Sequence, residues 1–176
     1  MPNRFLIISC SLNPKSRSRL LAKYAYEQFR LINPDVEWID LAQLQLPQCD
    51  GGPCYTDPKV QELAKKVRNA KGIILATPVY NYNTSASAKN LIELTADAWN
   101  NKVVGFISAA GGKSSYMAPL SLINSLMLDF RCLIVPRFVQ ALSAEIPDDA
   151  DPAEPITKRI EELNKTLIDL TKKVTD

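Results

Sequence analysis

Three apolar runs, FLII within Arg4 to Ser9, GIILAT from Gly72 to Thr77 and KVVGFIS from Lys102 to Ser108, show no polar alternation, and a segment of helical periodicity follows each. This alternation constrains the fold more than any other feature. An apolar run without alternation reads as a strand buried on both faces, and strands separated by helices imply a parallel sheet covered on both sides. Two further strands are expected. VEWIDL, Val36 to Leu41, has polar positions that suit a place near a sheet edge. CLIVPRFVQAL, Cys132 to Leu142, contains Pro136, which cannot donate to a ladder and puts that strand at an edge or at a bulge.

The helices follow from spacing and caps. Leu20, Leu21, Tyr24, Ala25 and Phe29 recur at helical intervals until Asn33-Pro34. Asp57-Pro58 is an N-cap with proline at the first helical position, opening a helix to about Asn69. Further helices are predicted from about Ala86 to Trp99 and from near Tyr116 to Asp129. At the C-terminal end, Ile156, Ile160, Leu163, Leu167, Leu170 and Val174 form a stripe. It suits a helix packed on the sheet better than a dimer seam, because it is too short for a coiled-coil signal. PDDADPAEP, from Pro147 to Pro155, reads as a polar loop.

The chain has 176 residues, which suits one domain spanning 1–176. A net charge of +2 gives no reason to expect nucleic acid or a membrane as partner. The Met-Pro-Asn-Arg start carries no signal-peptide pattern, and no apolar run approaches the roughly 20 residues of a membrane span, so a cytoplasmic location is expected. The most restrictive count is zero histidines: an imidazole base, a Ser-His-Asp triad and a His-ligated metal are all excluded within this chain. Catalysis, if present, falls to other side chains or to a cofactor that carries its own chemistry. The four cysteines, Cys10, Cys49, Cys54 and Cys132, do not form a secreted disulfide framework, and Cys132 reads as a small buried residue. Cys49 and Cys54, in CDGGPC, are open to three readings: a disulfide, half of a metal or iron–sulfur site, or incidental thiols in a Gly/Pro loop.

In parallel α/β sheets ligands bind beyond the carboxyl ends of the strands, which directs attention to three loops. SCSLNPKSRSR, Ser9 to Arg19, lies between strand and helix but has no glycine, so it is neither a Walker loop nor a dinucleotide fingerprint. Its hydroxyls at Ser11, Ser16 and Ser18, its cations Lys15, Arg17 and Arg19, and the helix N-terminus suit a terminal monophosphate. An ordinary βα loop with serine caps accounts for the same residues. ATPVYNYNTSASAKN, Ala76 to Asn90, leaves a central strand through Pro78 and offers Tyr80 and Tyr82 as walls for a flat heteroaromatic ring, or as surface packing. SAAGGKSSY, Ser108 to Tyr116, carries Gly111-Gly112, whose backbone freedom lets amides approach a ligand; a plain turn is the alternative.

Together these loops resemble those of the NADPH-dependent FMN reductase family, which includes quinone, azo-dye and chromate reductases. CSLNPKS, Cys10 to Ser16, resembles the family's first loop; TPVYN, Thr77 to Asn81, with Lys89-Asn90, resembles the second; Gly111-Gly112 resembles the third. Cys10 stands where the family has glycine, Asn13 where it has a phosphate-binding arginine, and NTSA, Asn83 to Ala86, where it has S-x-P-G. The resemblance implies a flavodoxin-like three-layer sandwich, a five-stranded parallel sheet in the order 2-1-3-4-5 with helices on both faces. It implies FMN, with Ser11, Asn13, Ser16, Arg17 and Ser18 around the phosphate. Pro78, Val79, Tyr80 and Asn81 would lie along the isoalloxazine, and Ser108, Gly111 and Gly112 on its other side. It further implies NADPH or NADH as co-substrate, a small-molecule electron acceptor, a homodimer or homotetramer, no catalytic side chain and no metal. A flavin-binding sensor or electron-transfer protein with little turnover, using Cys49 and Cys54, is the rival expectation.

Overall fold

The computed structural model describes residues 5–175, so Arg4, the expected first strand residue, lies outside the described residues. Strand β1 (Phe5–Ser9) is buried throughout. Helix α1 (Arg17–Ile32) starts at Ser16, whose hydroxyl accepts the Arg19 N–H, and stops at Asn33 in extended conformation before Pro34. Strand β2 (Val36–Asp40) follows, and the long loop after it holds a one-turn helix, α2 (Leu41–Leu44), and a 3-10 turn at Pro53–Thr56. Helix α3 (Pro58–Asn69) has Asp57 as its cap, as its sequence predicts.

Strand β3 (Gly72–Tyr80) pairs in parallel with β1 on one side and β5 (Val103–Ala110) on the other. The parallel order across the sheet is β2-β1-β3-β5, with β6 (Leu133–Ile134) and then β7 (Val139–Leu142) both pairing with β5 at the far edge. The expected 2-1-3-4-5 order is therefore present, but seven strands stand among the described residues instead of five. The predicted last strand is two strands. Pro136 has no N–H to donate, and Arg137 next to it takes a left-handed φ of 58°, so the ladder breaks between Ile134 and Val139. The seventh strand is β4 (Asn83–Thr84), which folds back antiparallel on the end of β3.

Two helix boundaries also differ from expectation. Helix α4 (Ala86–Thr95) ends four residues early and gives way to a 3-10 turn at Ala96–Trp99. The Thr95 hydroxyl donates to the Leu91 carbonyl at 2.7 Å and accepts the Trp99 indole N–H at 2.8 Å, a side-chain alternative to further helix. Helix α5 (Leu120–Phe130) begins after a separate turn at Lys113–Ser115.

Alternation along the central strands builds the two cores. Leu6 and Ile8 of β1 face α3, α4 and α5 with Leu63, Leu91, Leu122 and Trp99, while Phe5 and Ile7 face α1 and α6 (Glu154–Thr175) with Phe29, Ile160 and Leu167. Ile156, Ile160, Leu163 and Leu167 of the C-terminal stripe are buried against the sheet and only Val174 is exposed, so most of the stripe is core, not a seam between chains.

Candidate functional site

The loop after β1 solves the problem of turning without glycine by using side chains as turn closers. Ser11 Oγ accepts the Asn13 N–H at 3.2 Å and Asn13 Oδ1 accepts the Lys15 N–H at 2.9 Å. Cys10 fits where a glycine is usual because its side chain points into the core, fully buried, and burial holds its thiol far above the ordinary range. Arg19 then fastens the loop from beneath. It donates to the carbonyls of Ser11 (3.0 Å), Asn13 (2.7 Å) and Pro14 (3.1 Å) and forms a fork with Asp40, at 2.7 and 3.3 Å, at the end of β2. With those carbonyls turned inward, what remains at the surface is donor-rich. Ser16 and Ser18 are buried with hydroxyls 2.9 Å apart, and the first-turn N–H groups of α1 lie beside them.

The expected phosphate residues thus divide. Ser11, Ser16 and Ser18 come together at the α1 N-terminus. Asn13 is adjacent, but its amide oxygen is engaged by Lys15. Arg17 faces elsewhere: its guanidinium donates to the carbonyls of Ser143 (2.8 Å) and Ile146 and lies 3.7 Å from Asp148, binding α1 to the loop after β7. Of the three cations, Lys15 alone is exposed and without an ion pair among the described residues. An open cleft of about 470 Å³ lies at this helix end, lined by Lys15, Ser16, Arg17 and Arg19, with Asp148 also on its wall.

The second loop is a tight hairpin. Val79 pairs with Thr84 and Tyr80 with Asn83, leaving Asn81 and Tyr82 as a two-residue turn with φ of 49° and 63°. Both values belong to the left-handed region that such hairpin turns require. Asparagine tolerates it, whereas tyrosine carries a Cβ penalty, so Tyr82 is strained and more than half exposed, as is Tyr80. The hairpin is anchored on both sides. The Thr77 hydroxyl accepts the Ser85 N–H at 3.1 Å, Ser87 donates to the Cys10 carbonyl, and Ser121 of α5 donates to Asn83 Oδ1 at 2.7 Å. Asn90 has a structural use: its amide accepts the Cys49 N–H at 2.8 Å and donates to the Pro47 carbonyl at 3.0 Å, pinning the long loop to α4.

The third loop departs from expectation in its reason for glycine. Neither Gly111 nor Gly112 takes a left-handed φ, and a Cβ on either would meet nothing within 4 Å. The pair leaves clearance above the sheet edge and does not supply a special backbone conformation. Ser108 lies below this level, fully buried, its hydroxyl donating to the Val139 carbonyl at 3.4 Å. Gln140, absent from the sequence-based set, is beside the loop. Its amide donates to the Gly112 carbonyl at 3.3 Å, while its own carbonyl oxygen is buried without a hydrogen-bond partner among the described residues. A glutamine inside the apolar strand VQAL was the available signal. Ser9 Oγ, at the end of β1, is a second buried atom without such a partner. Tyr116 closes this side, stacked on Phe138 with ring centroids 4.5 Å apart.

The donor set fits FMN. Serine hydroxyls and helix amides at α1 suit its phosphate, the clearance over Gly111-Gly112 admits a flat ring, and the unpartnered Gln140 oxygen suits the ring's imide N–H. Comparison with known proteins points the same way. The chain is 29% identical over 154 residues to an FMN-dependent NADPH-azoreductase of Staphylococcus aureus, covering 83% of this chain and 80% of the relative. An NADPH azoreductase of a Bacillus species is 26% identical over 156 residues, 85% of each chain. Among solved structures, an oxidoreductase of Corynebacterium diphtheriae superposes with a TM-score of 0.79 over 98% of this chain and 99% of that one, at 19% identity, and shares the fold. The family described as NADPH-dependent FMN reductase matches residues 3–145. The chain belongs to the NADPH-dependent FMN reductase family.

Proposed function

We propose that this chain is a single FMN-binding domain that oxidises NADPH or NADH and reduces a flat aromatic acceptor, a quinone or an azo compound. The observation that carries the reading is the meeting of three features on one sheet edge: the hydroxyl-lined α1 N-terminus, the strained Asn81-Tyr82 hairpin and the open Gly111-Gly112 loop. FMN, when bound, supplies the two-electron chemistry that a chain without histidine lacks. Ser11, Ser16 and Ser18 would hold its phosphate, and backbone groups of Pro78 to Asn81 would lie along the ring. Gln140 would accept from the ring imide and fix the ring's orientation. The exposed rings of Tyr80, Tyr82 and Tyr116 favour an acceptor that stacks over one held by charge.

The purified protein is expected to bind FMN at micromolar concentration with the visible spectrum of a bound flavin, and to oxidise NAD(P)H when a quinone or azo dye is added. Absence of flavin binding would refute the reading. Turnover with free flavin but with neither aromatic acceptor would refute the proposed acceptor class alone. Met117, Leu120, Met127 and Leu128 expose apolar side chains near Tyr82 and Tyr116, which supports a homodimer or homotetramer. Leu128→Glu should lower the sedimentation coefficient; an unchanged value would remove that face from the interface. No helix among the described residues is long and apolar enough to cross a membrane. A cytoplasmic location, where NAD(P)H is available, completes the proposal.

A further inference from the structure

We propose that Cys49 and Cys54 form a second reactive site, a dithiol that reacts with hydroperoxides and closes reversibly to a disulfide, separate from the flavin site. Both cysteines are free thiols, and they differ in the way such a pair requires. Cys49 is partly exposed on the loop 45–57, while Cys54 is 4% exposed and packs with Val60 and Leu94 in a small cluster of its own. The Cys54 thiol is within hydrogen-bonding reach of the Cys49 sulfur, and the Tyr55 hydroxyl lies 3.5 Å from it.

The loop is built to hold this arrangement. Asp50 accepts the backbone N–H of Gly52 at 2.8 Å and of Cys54 at 3.2 Å, closing CDGGPC on itself. Gly51 supplies the left-handed φ of 72° that the turn needs. Asn90 fixes the Cys49 N–H from α4. Hydrogen bonds from the Tyr55 hydroxyl, the Gly51 N–H and the Cys54 thiol favour the Cys49 thiolate and outweigh the opposing charge of Glu93. Burial and the neighbouring Asp50 keep Cys54 protonated, and Tyr55 is pushed up to about 12 as donor to the thiolate. No group of three or more His, Cys, Asp or Glu suited to a metal occurs among the described residues, so the pair lacks the further ligands of a metal or iron–sulfur centre.

The chemistry balances with a peroxide as the oxidant. The Cys49 thiolate attacks one oxygen of hydrogen peroxide; the S–O bond forms, the O–O bond breaks, and hydroxide leaves to take a proton from water. Sulfur is oxidised by two electrons and the peroxide is reduced. Cys54 sulfur then attacks Cys49 sulfur, the S–O bond breaks, and the oxygen leaves as water with the Cys54 proton. Two thiols of a dithiol reductant return the pair to its starting state.

The test uses the full chain and dilute hydrogen peroxide, followed by thiol titration, intact mass and peptide mapping. The expected result is loss of two thiols and two hydrogen atoms, a mapped Cys49–Cys54 bond, and full recovery with dithiothreitol. Cys54→Ser should instead yield a Cys49 sulfenic acid that dimedone traps, and Cys49→Ser should leave the thiol count unchanged on the same timescale. Tyr55→Phe should slow the reaction about tenfold, the effect of losing one hydrogen bond to a charged group. A pair that stays reduced while free cysteine reacts would overturn the proposal, as would a bond mapped to any other cysteine. None of these readouts depends on flavin.

Discussion

Arg19 spends its donors inside the protein, on three loop carbonyls and on Asp40, whose side chain is 5% exposed. A planar fork suits that task and an ammonium does not. Arg19→Ala leaves Asp40 buried without its partner and frees three carbonyls, so a loss of about 3 kcal/mol is expected in chemical denaturation; Arg19→Lys should recover only part of it. A loss below experimental error would show the fork to be decorative. Lys102 is the opposite case, a cation with little to pair with. Its side chain is 5% exposed, it donates to the Arg68 carbonyl at 2.8 Å, and burial lowers it to about 8. Between about pH 8 and the ordinary lysine value of 10.5 the unfolded chain binds more protons here than the folded one, so this site makes stability rise with pH. The buried thiols Cys10 and Cys132 are raised and act in the opposite sense above their ordinary value, which makes comparison with a variant necessary. The stability of the wild type relative to Lys102→Met should be flat below pH 8 and increase above it; a difference that falls with pH would contradict the assignment. The sequence displayed Arg19 as one of three cations in a loop. It could not show that β1 and β2 run in register with Ser9 opposite Asp40, and that register is what turns a phosphate-seeking charge into an internal clamp.

At the scale of elements, what was legible depended on how local the cause was. The central strands are apolar on both faces and needed no partner to be recognised, and the caps at Ser16 and Asp57 act within one turn. The β3–β4 hairpin was missed because Asn81-Tyr82 lacks the glycine that usually marks such a turn; anchoring by Ser85, Ser87 and Ser121, distant in sequence, holds the tyrosine in place. The division of the edge strand was half legible, since Pro136 announced an interruption but not that β7 would rejoin β5. Packing of α6 on the sheet rests on small residues that the sequence does not explain. A Cβ on Gly72 would stand 2.7 Å from Phe5 Cδ1 and 2.7 Å from Thr171 Oγ1, with the Phe5 ring already held against Phe29 at a centroid distance of 5.0 Å. Gly72→Ala is therefore expected to cost about 1–3 kcal/mol through overpacking. Gly105→Ala, whose nearest neighbour is the flexible end of Leu163 at 3.0 Å, should cost less. Equal denaturation midpoints for the two variants would show that α6 yields equally at both places.

For the whole molecule, binding at the carboxyl edge should register as global stability, because the loops that would hold FMN join β1 to α1, β3 to α4 and β5 to α5. A ligand that binds only the folded state at 100 times its dissociation constant adds about 2.7 kcal/mol. For a chain of this size that corresponds to a rise in Tm of roughly 5–10 °C. Ser16→Asp separates the site from the scaffold. Aspartate is as good an N-cap as serine, so it can still accept the Arg19 N–H and, in place of the Ser16 hydroxyl, the Ser18 O–H. The flavin-free protein should then melt close to the wild type. The new carboxylate would stand where the phosphate is expected, at the α1 N-terminus, and like charges at that distance oppose binding. The thermal shift with FMN should disappear in Ser16→Asp and persist in a variant at Arg17, such as Arg17→Gln, whose guanidinium is directed at Ser143, Ile146 and Asp148. A full shift in Ser16→Asp would move the phosphate away from this loop. Loss of the shift in Arg17→Gln with retention in Ser16→Asp would place it on the Arg17 side of the cleft.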